Sequence, residues 1–158
     1  GEPLVEWICG PYAPVPGVPG RFRVSLDRAW KNGGAAYLIA RHEGDAAHRR
    51  TVQPAHLTLR ENTAGTAQRI TFPPLPDVPA GTASIPLAAT ADSGLPVSYF
   101  VASGPALVRD NQLVFTTLPP RTRFPVEVTV AAWQWGRATE PAVRTAPLVR
   151  QTFRLTAP

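Results

Sequence analysis

Apolar and polar residues alternate along this chain in short runs, and proline, glycine, asparagine and aspartate separate the runs. Arg21-Phe22-Arg23-Val24-Ser25-Leu26 alternates strictly, a period of two that predicts a strand with Phe22, Val24 and Leu26 on one face. Ala35 to His42 reads as a second, more apolar strand, and in His48 to Arg60 the leucines Leu57 and Leu59 alternate with His56, Thr58 and Arg60. Asn32-Gly33-Gly34 and Glu43-Gly44-Asp45 read as turns. Between the short apolar run Leu4 to Ile8 and the first alternating strand lies Gly10 to Gly20, where repeated prolines and glycines predict a loop. Roughly four strands result, few for a free-standing sandwich, so residues 1–65 are expected to form a small β-rich unit.

Glu61 to Thr66 is polar and turn-prone, which places a domain boundary at Gly65/Thr66. Beyond it the alternation predicts strands at Arg69 to Phe72, Ser84 to Thr90, Val97 to Ala102, Ala106 to Arg109, Gln112 to Thr116, Val126 to Trp133 and Val149 to Thr156. Short strands at this spacing suit an immunoglobulin-like antiparallel β-sandwich over residues 66–158. Asp110-Asn111 is expected to form a tight hairpin turn with positive φ, and Pro73-Pro74 and Pro119-Pro120 are excluded from central strands because proline cannot donate to a ladder. The whole chain therefore reads as all-β.

Composition agrees with that reading. Nineteen prolines and twelve glycines in 158 residues are a poor recipe for long helices, since proline removes a donor and clashes with the preceding turn. The net charge of +5 rests on arginines scattered as singles, with Lys31 the only lysine, so no basic stripe follows a phosphate backbone and nucleic acid is not an expected partner. Cys9 stands alone, which excludes an internal disulfide and a multi-cysteine zinc site. No run approaches the ~20 apolar residues of a membrane-spanning helix, so no membrane insertion is expected. The chain has no methionine and opens on Gly1, which leads to the expectation that it belongs to a larger protein.

Several segments of the second half carry a resemblance. Gln68-Arg69-Ile70-Thr71-Phe72, Leu75-Pro76-Asp77, Leu87 to Ala91, Ser93-Gly94-Leu95-Pro96-Val97-Ser98, Ser103-Gly104-Pro105-Ala106 and Val128-Thr129-Val130-Ala131 follow one another in order. Over residues 68–136 this resembles the bacterial immunoglobulin-like (Big/MBG-type) repeats of secreted and cell-surface proteins. The resemblance implies a non-catalytic accessory or spacer module of a secreted or surface bacterial protein, whose partners are attached domains of a larger parent, with polysaccharide contact in some members. The chain departs from the pattern at Leu118 to Pro125 and at Trp133-Gln134-Trp135, and no second copy of the motif follows.

The candidate ligand-binding residues are Trp133, Gln134, Trp135 and Arg137. If Val126, Val128, Val130 and Ala132 face the core, a period of two sets Trp133 and Trp135 on the opposite face. Outward indoles suit stacking on the apolar faces of sugar rings, with an arginine bonding hydroxyls or carboxylates, whereas packing against other parts of the chain is the alternative. The competing functions are thus a dedicated carbohydrate-binding module and a protein–protein adhesion module. Arg41 to Asp45 with His48 contains metal-capable side chains, but the spacing matches no helical zinc motif and reads as a solvated hairpin tip, so neither metal nor cofactor is expected. No nucleophile elbow, phosphate loop or Cys-x-x-Cys pair is present, and no catalytic residues are assigned.

Overall fold

The computed structural model describes residues 1–27, 30 and 35–158, so the expected turn at Asn32-Gly33-Gly34 lies outside the described residues. The described chain is all-β and divides into two compact units, Gly1–Arg60 and Glu61–Pro158.

The first unit is built on a three-stranded antiparallel sheet of β1 (Leu4–Cys9), β4 (Ala35–His42) and β5 (Thr51–Thr58), in the order β1-β4-β5. A separate two-stranded ribbon joins β2 (Tyr12–Pro14) to β3 (Phe22–Val24). The Gly10 to Gly20 stretch, expected to be loop throughout, thus contributes one short strand. The predicted strand Arg21 to Leu26 shortens to Phe22–Val24, and only Leu26 of its three apolar residues is buried, while Val24 is exposed. Every residue of β5 is exposed, Val52 and Leu57 among them, and Leu4, Trp7, Ile8 and Tyr37 also face solvent. Sheet without a covered face gains little from burying apolar area, and what is buried among the described residues of this unit is confined to a few side chains such as Pro11, Leu26, Trp30 and Ala36.

The second unit is a sandwich. One sheet has the order β10-β13-β14-β7, formed by β10 (Ser98–Ser103), β13 (Val126–Trp133), β14 (Val149–Thr156) and β7 (Val78–Pro79). The other has the order β11-β12-β8, formed by β11 (Ala106–Arg109), β12 (Gln112–Phe115) and β8 (Ser84–Pro86). A two-stranded pair, β6 (Ile70–Thr71) with β9 (Thr90–Ala91), completes it. All pairings in these sheets are antiparallel except β14 with β7, where Leu155 faces Val78 and Thr156 faces Pro79 in parallel. Lettered along the chain, β8, β12 and β11 take the places of B, E and D and β10, β13 and β14 those of C, F and G, so the strand order is that of an immunoglobulin-type sandwich.

The period of two explains why the layers meet where they do. Along β13, Val128, Val130 and Ala132 point into the core, as do Phe153 and Leu155 of β14, Tyr99 and Val101 of β10 and Leu113 of β12. Arg150, Thr152 and Arg154 alternate with them toward solvent. Leu113, Val128 and Val130 are fully buried, and side chains of this kind contribute about 1.5–3 kcal/mol each on leaving water. At the hairpin between β11 and β12, Asp110 and Asn111 have φ of 47° and 58°, the paired positive values that match the twist of the flanking strands. The prolines that do enter strands of this unit, Pro79 in β7 and Pro86 in β8, sit on the outermost strand of their sheets, where a missing donor breaks no ladder bond.

The second compact unit begins at Glu61, and the chain near the expected boundary at Gly65/Thr66 bonds into it. The Asn62 amide N–H donates to Thr145 Oγ1 at 2.8 Å, its side-chain Nδ2 donates to the Val143 carbonyl at 2.8 Å, and the Thr66 N–H donates to the Ala142 carbonyl at 2.9 Å.

Candidate functional site

The four residues singled out in the sequence lie where β13 ends and the chain turns toward β14. Trp133 is the last residue of that strand and Trp135 follows two positions on, so their side chains project from the same side. The indoles stack, with ring centroids 4.3 Å apart and planes 26° from parallel. Neither ring belongs to the inter-sheet core, as the alternation predicts. The two are not, however, an exposed pair. Trp133 is only 3% exposed and Trp135 is half-buried, and Phe100 and Ala131 on the same face are buried as well. Polar residues share this face, Ser98 opposite Trp133 and the exposed Arg150 opposite Ala131, and at the other end of β13 Thr129 meets Thr152 at 2.8 Å and Glu127 is exposed.

Gln134, between the two tryptophans in sequence, is buried and hydrogen-bonded through both its oxygen and its nitrogen. Its Oε1 accepts from Gln68 Nε2 at 2.8 Å and from the Gly136 amide, and its Nε2 donates to the Pro96 carbonyl at 3.3 Å. Gln68 in turn donates to the Arg144 carbonyl at 2.6 Å and accepts from Ser93 Oγ. A buried amide that left these groups unpaired would cost about 1–3 kcal/mol per group, and among the described residues no buried side-chain polar atom lacks a partner. Gly136 makes the local geometry achievable. Its φ is +79°, and a Cβ there would lie 2.3 Å from the Val143 carbonyl oxygen.

Arg137 is likewise turned inward on its own loop. Its Nε and Nη2 both donate to the Pro141 carbonyl, at 3.0 and 2.8 Å, and its backbone exchanges two hydrogen bonds with Val143. The structure therefore brings all four predicted residues together, but Gln134 and Arg137 close the end of the sandwich, and Trp133 lacks the open face that sugar stacking requires. The signal that identifies the network in the sequence is the pair of polar residues, Gln68 and Gln134, each bordering an apolar strand.

Tyr99 supplies a second internal tie. Its hydroxyl accepts from the Ala89 N–H at 2.8 Å and faces the carbonyls of Leu87 and Ala89 at 3.3 Å. Burial pushes its phenol above the ordinary value, with the Ala89 hydrogen bond opposing.

In the first unit the hairpin between β4 and β5 gathers side chains that the sequence reading left at a solvated tip. His42, Asp45 and His48 each offer a ligand atom, and these atoms lie within 4.8 Å of one another. The N-terminal ammonium of Gly1 at 2.7 Å from Asp45 Oδ2, together with the Ala47 N–H and His48, holds the Asp45 carboxyl down at about 2. An open apolar groove of about 590 Å³ runs between β1 and the loop Pro14–Phe22, with Trp7 in its wall. Trp7 Nε1 donates to the Gly10 carbonyl at 3.3 Å. Cys9 is exposed and carries a free thiol. No described helix is long and apolar enough to cross a membrane.

No protein-family model matches this chain, and comparison with curated proteins gives no match.

Proposed function

We propose that this chain is a non-catalytic accessory module that spaces or presents attached domains of a secreted or cell-surface bacterial protein, its second unit being a repeat of the bacterial immunoglobulin-like kind. The observation that supports this reading is where the signature residues go. Ser93, Pro96, Gln68 and Gln134 are joined in one hydrogen-bonded network, and Leu87, Val101, Val128 and Val130 fill the space between the sheets. The residue pattern that carries the resemblance is thus engaged in holding a sandwich closed. A module of this type contributes stiffness, since packed strands hold one conformation that a flexible linker samples only transiently. The test places the chain between two fluorescent reporter domains and measures energy transfer. The proposal predicts a narrow distance distribution compared with a Gly/Ser linker of the same length, and an equally broad distribution would sink it.

Polysaccharide contact is the second reading, and the half-buried Trp135 favours it, because its ring is held in a fixed plane against Trp133. Titration with a panel of plant and microbial glycans, followed by tryptophan fluorescence, tests it. Quenching that disappears in Trp135→Ala supports the reading, and an unchanged spectrum with every glycan rejects it.

A further inference from the structure

We propose that His42, Asp45 and His48 bind a divalent transition-metal ion of the zinc class at the tip of the β4–β5 hairpin. The hairpin is shaped around the carboxylate. Asp45 Oδ1 accepts from the Ala47 N–H at 2.9 Å, the His48 N–H at 2.8 Å and His48 Nδ1 at 2.9 Å, while the Asp45 N–H donates to the His48 carbonyl at 2.9 Å. Gly44 permits the bend: its φ is +91°, and a Cβ would lie 2.9 Å from the Arg50 nitrogen. These bonds wrap positions 42, 45 and 48 onto one side of the turn, so a spacing of three, which on a helix would be unremarkable, here converges three ligands.

The distances suit an ion after a small closure. His42 Nε2 stands 3.7 Å from Asp45 Oδ2, and the two imidazoles meet edge to face with centroids 5.7 Å apart. Metal bonds of about 2.0–2.2 Å in a tetrahedral site set neighbouring ligand atoms roughly 3.3 Å apart. The closure falls to His48, whose side chain is 70% exposed, because His42 is 13% exposed and is held by the Gly44 N–H at its Nδ1 and the Gly1 carbonyl at its Nε2. Binding through His42 Nε2 moves the ring proton to Nδ1, exchanges these two hydrogen bonds for one metal–nitrogen bond and displaces the Gly1 ammonium from its place 2.7 Å from Asp45 Oδ2, so the affinity is modest. Beside the cluster a cavity of about 250 Å³ is lined by His42 together with Gly1, Glu2, Glu6, Arg41 and Glu43; Glu6 pairs with Arg41 at 3.1 Å and Glu43 with Arg50 at 3.2 Å, so the approach to His42 is polar with its charges largely balanced. Two imidazole nitrogens and one carboxylate oxygen match zinc and its neighbours, not calcium or magnesium, which take oxygen ligands.

The third histidine of the chain provides the control, since His56 stacks on Tyr37 at 4.7 Å, apart from the cluster. Isothermal titration of the whole chain with zinc, and visible absorption with cobalt(II) as a tetrahedral probe, test the site. One ion per chain is expected, bound at least about tenfold more weakly by His48→Ala and by Asp45→Asn and equally well by His56→Ala. His48 is exposed, so its replacement leaves the hairpin folded, and a thermal melt verifies this. Absence of saturable zinc binding, or binding that His48→Ala leaves unchanged, overturns the proposal.

Discussion

Gln68 and Gln134 are 66 positions apart in the chain, and their side-chain amides meet at 2.8 Å in a buried setting. Through them the start of β6, the Ser93–Pro96 turn and the end of β13 share one hydrogen-bonded network. Gln134, one of the four residues expected to form a ligand platform, is in the fold part of the closure of one end of the sandwich.

If that closure is structural, removing one amide leaves the others unsatisfied. Gln68→Leu is expected to destabilise the chain by about 1–3 kcal/mol, measured by urea denaturation with tryptophan fluorescence. A loss below the error of the measurement would mean that water replaces the amide at no cost, and that the end of the sandwich is open.

The core and the first unit's sheet are expected to respond very differently to the same truncation. Leu113 is fully buried and Leu57 is 39% exposed. Leu113→Ala should cost about 2–5 kcal/mol, whereas Leu57→Ala should stay within about 0.5 kcal/mol. Differential scanning calorimetry of both variants makes the comparison, and equal losses would place the core elsewhere.

Tyr99 predicts a pH dependence. Burial raises its phenol above the ordinary 10.0, so the folded state favours the neutral form. The resulting stabilisation is intact below the unfolded value and is lost as pH rises through the folded value. Tyr99→Phe cannot ionise there. Urea denaturation from about pH 8 to about pH 11 should show the wild type losing more stability than the variant across the alkaline end. Parallel losses would assign the alkaline sensitivity to other groups, Tyr12 among them, whose phenol is also raised by burial.

The strands of the second unit were legible because one face of each is buried, which writes the period of two directly into the sequence. Ala106–Arg109, Val126–Trp133 and Val149–Thr156 occur with the bounds the alternation predicts. Ser84 to Thr90 was expected as one strand but divides into β8 and β9, with Pro86 ending the first piece, and the two-residue β7 is too short to impose any period. In the first unit the pattern misleads, since its alternating apolar residues are not matched by a covered face: Val24 and Leu57 are exposed. At the candidate site, spacing correctly set the two indoles on one side of β13 but carried no information about what buries Trp133. The segment of His42, Asp45 and His48 is visible in the sequence as metal-capable but reads as a solvated tip, because a spacing of three converges side chains on a helix and here a turn closed by a carboxylate does so instead.

Native-state hydrogen exchange, resolved by residue, tests the central claim most directly: the second unit is a closed sandwich to which the candidate site residues belong. The account predicts that the amides of Val128, Val130 and Phe153, with those of Arg137 and Ala146 that bond to Val143 and Gln134, exchange slowly and that β5 amides on the outer edge of its sheet exchange fast. Rapid exchange at Val130 and Ala146, on the timescale of β5, would contradict it.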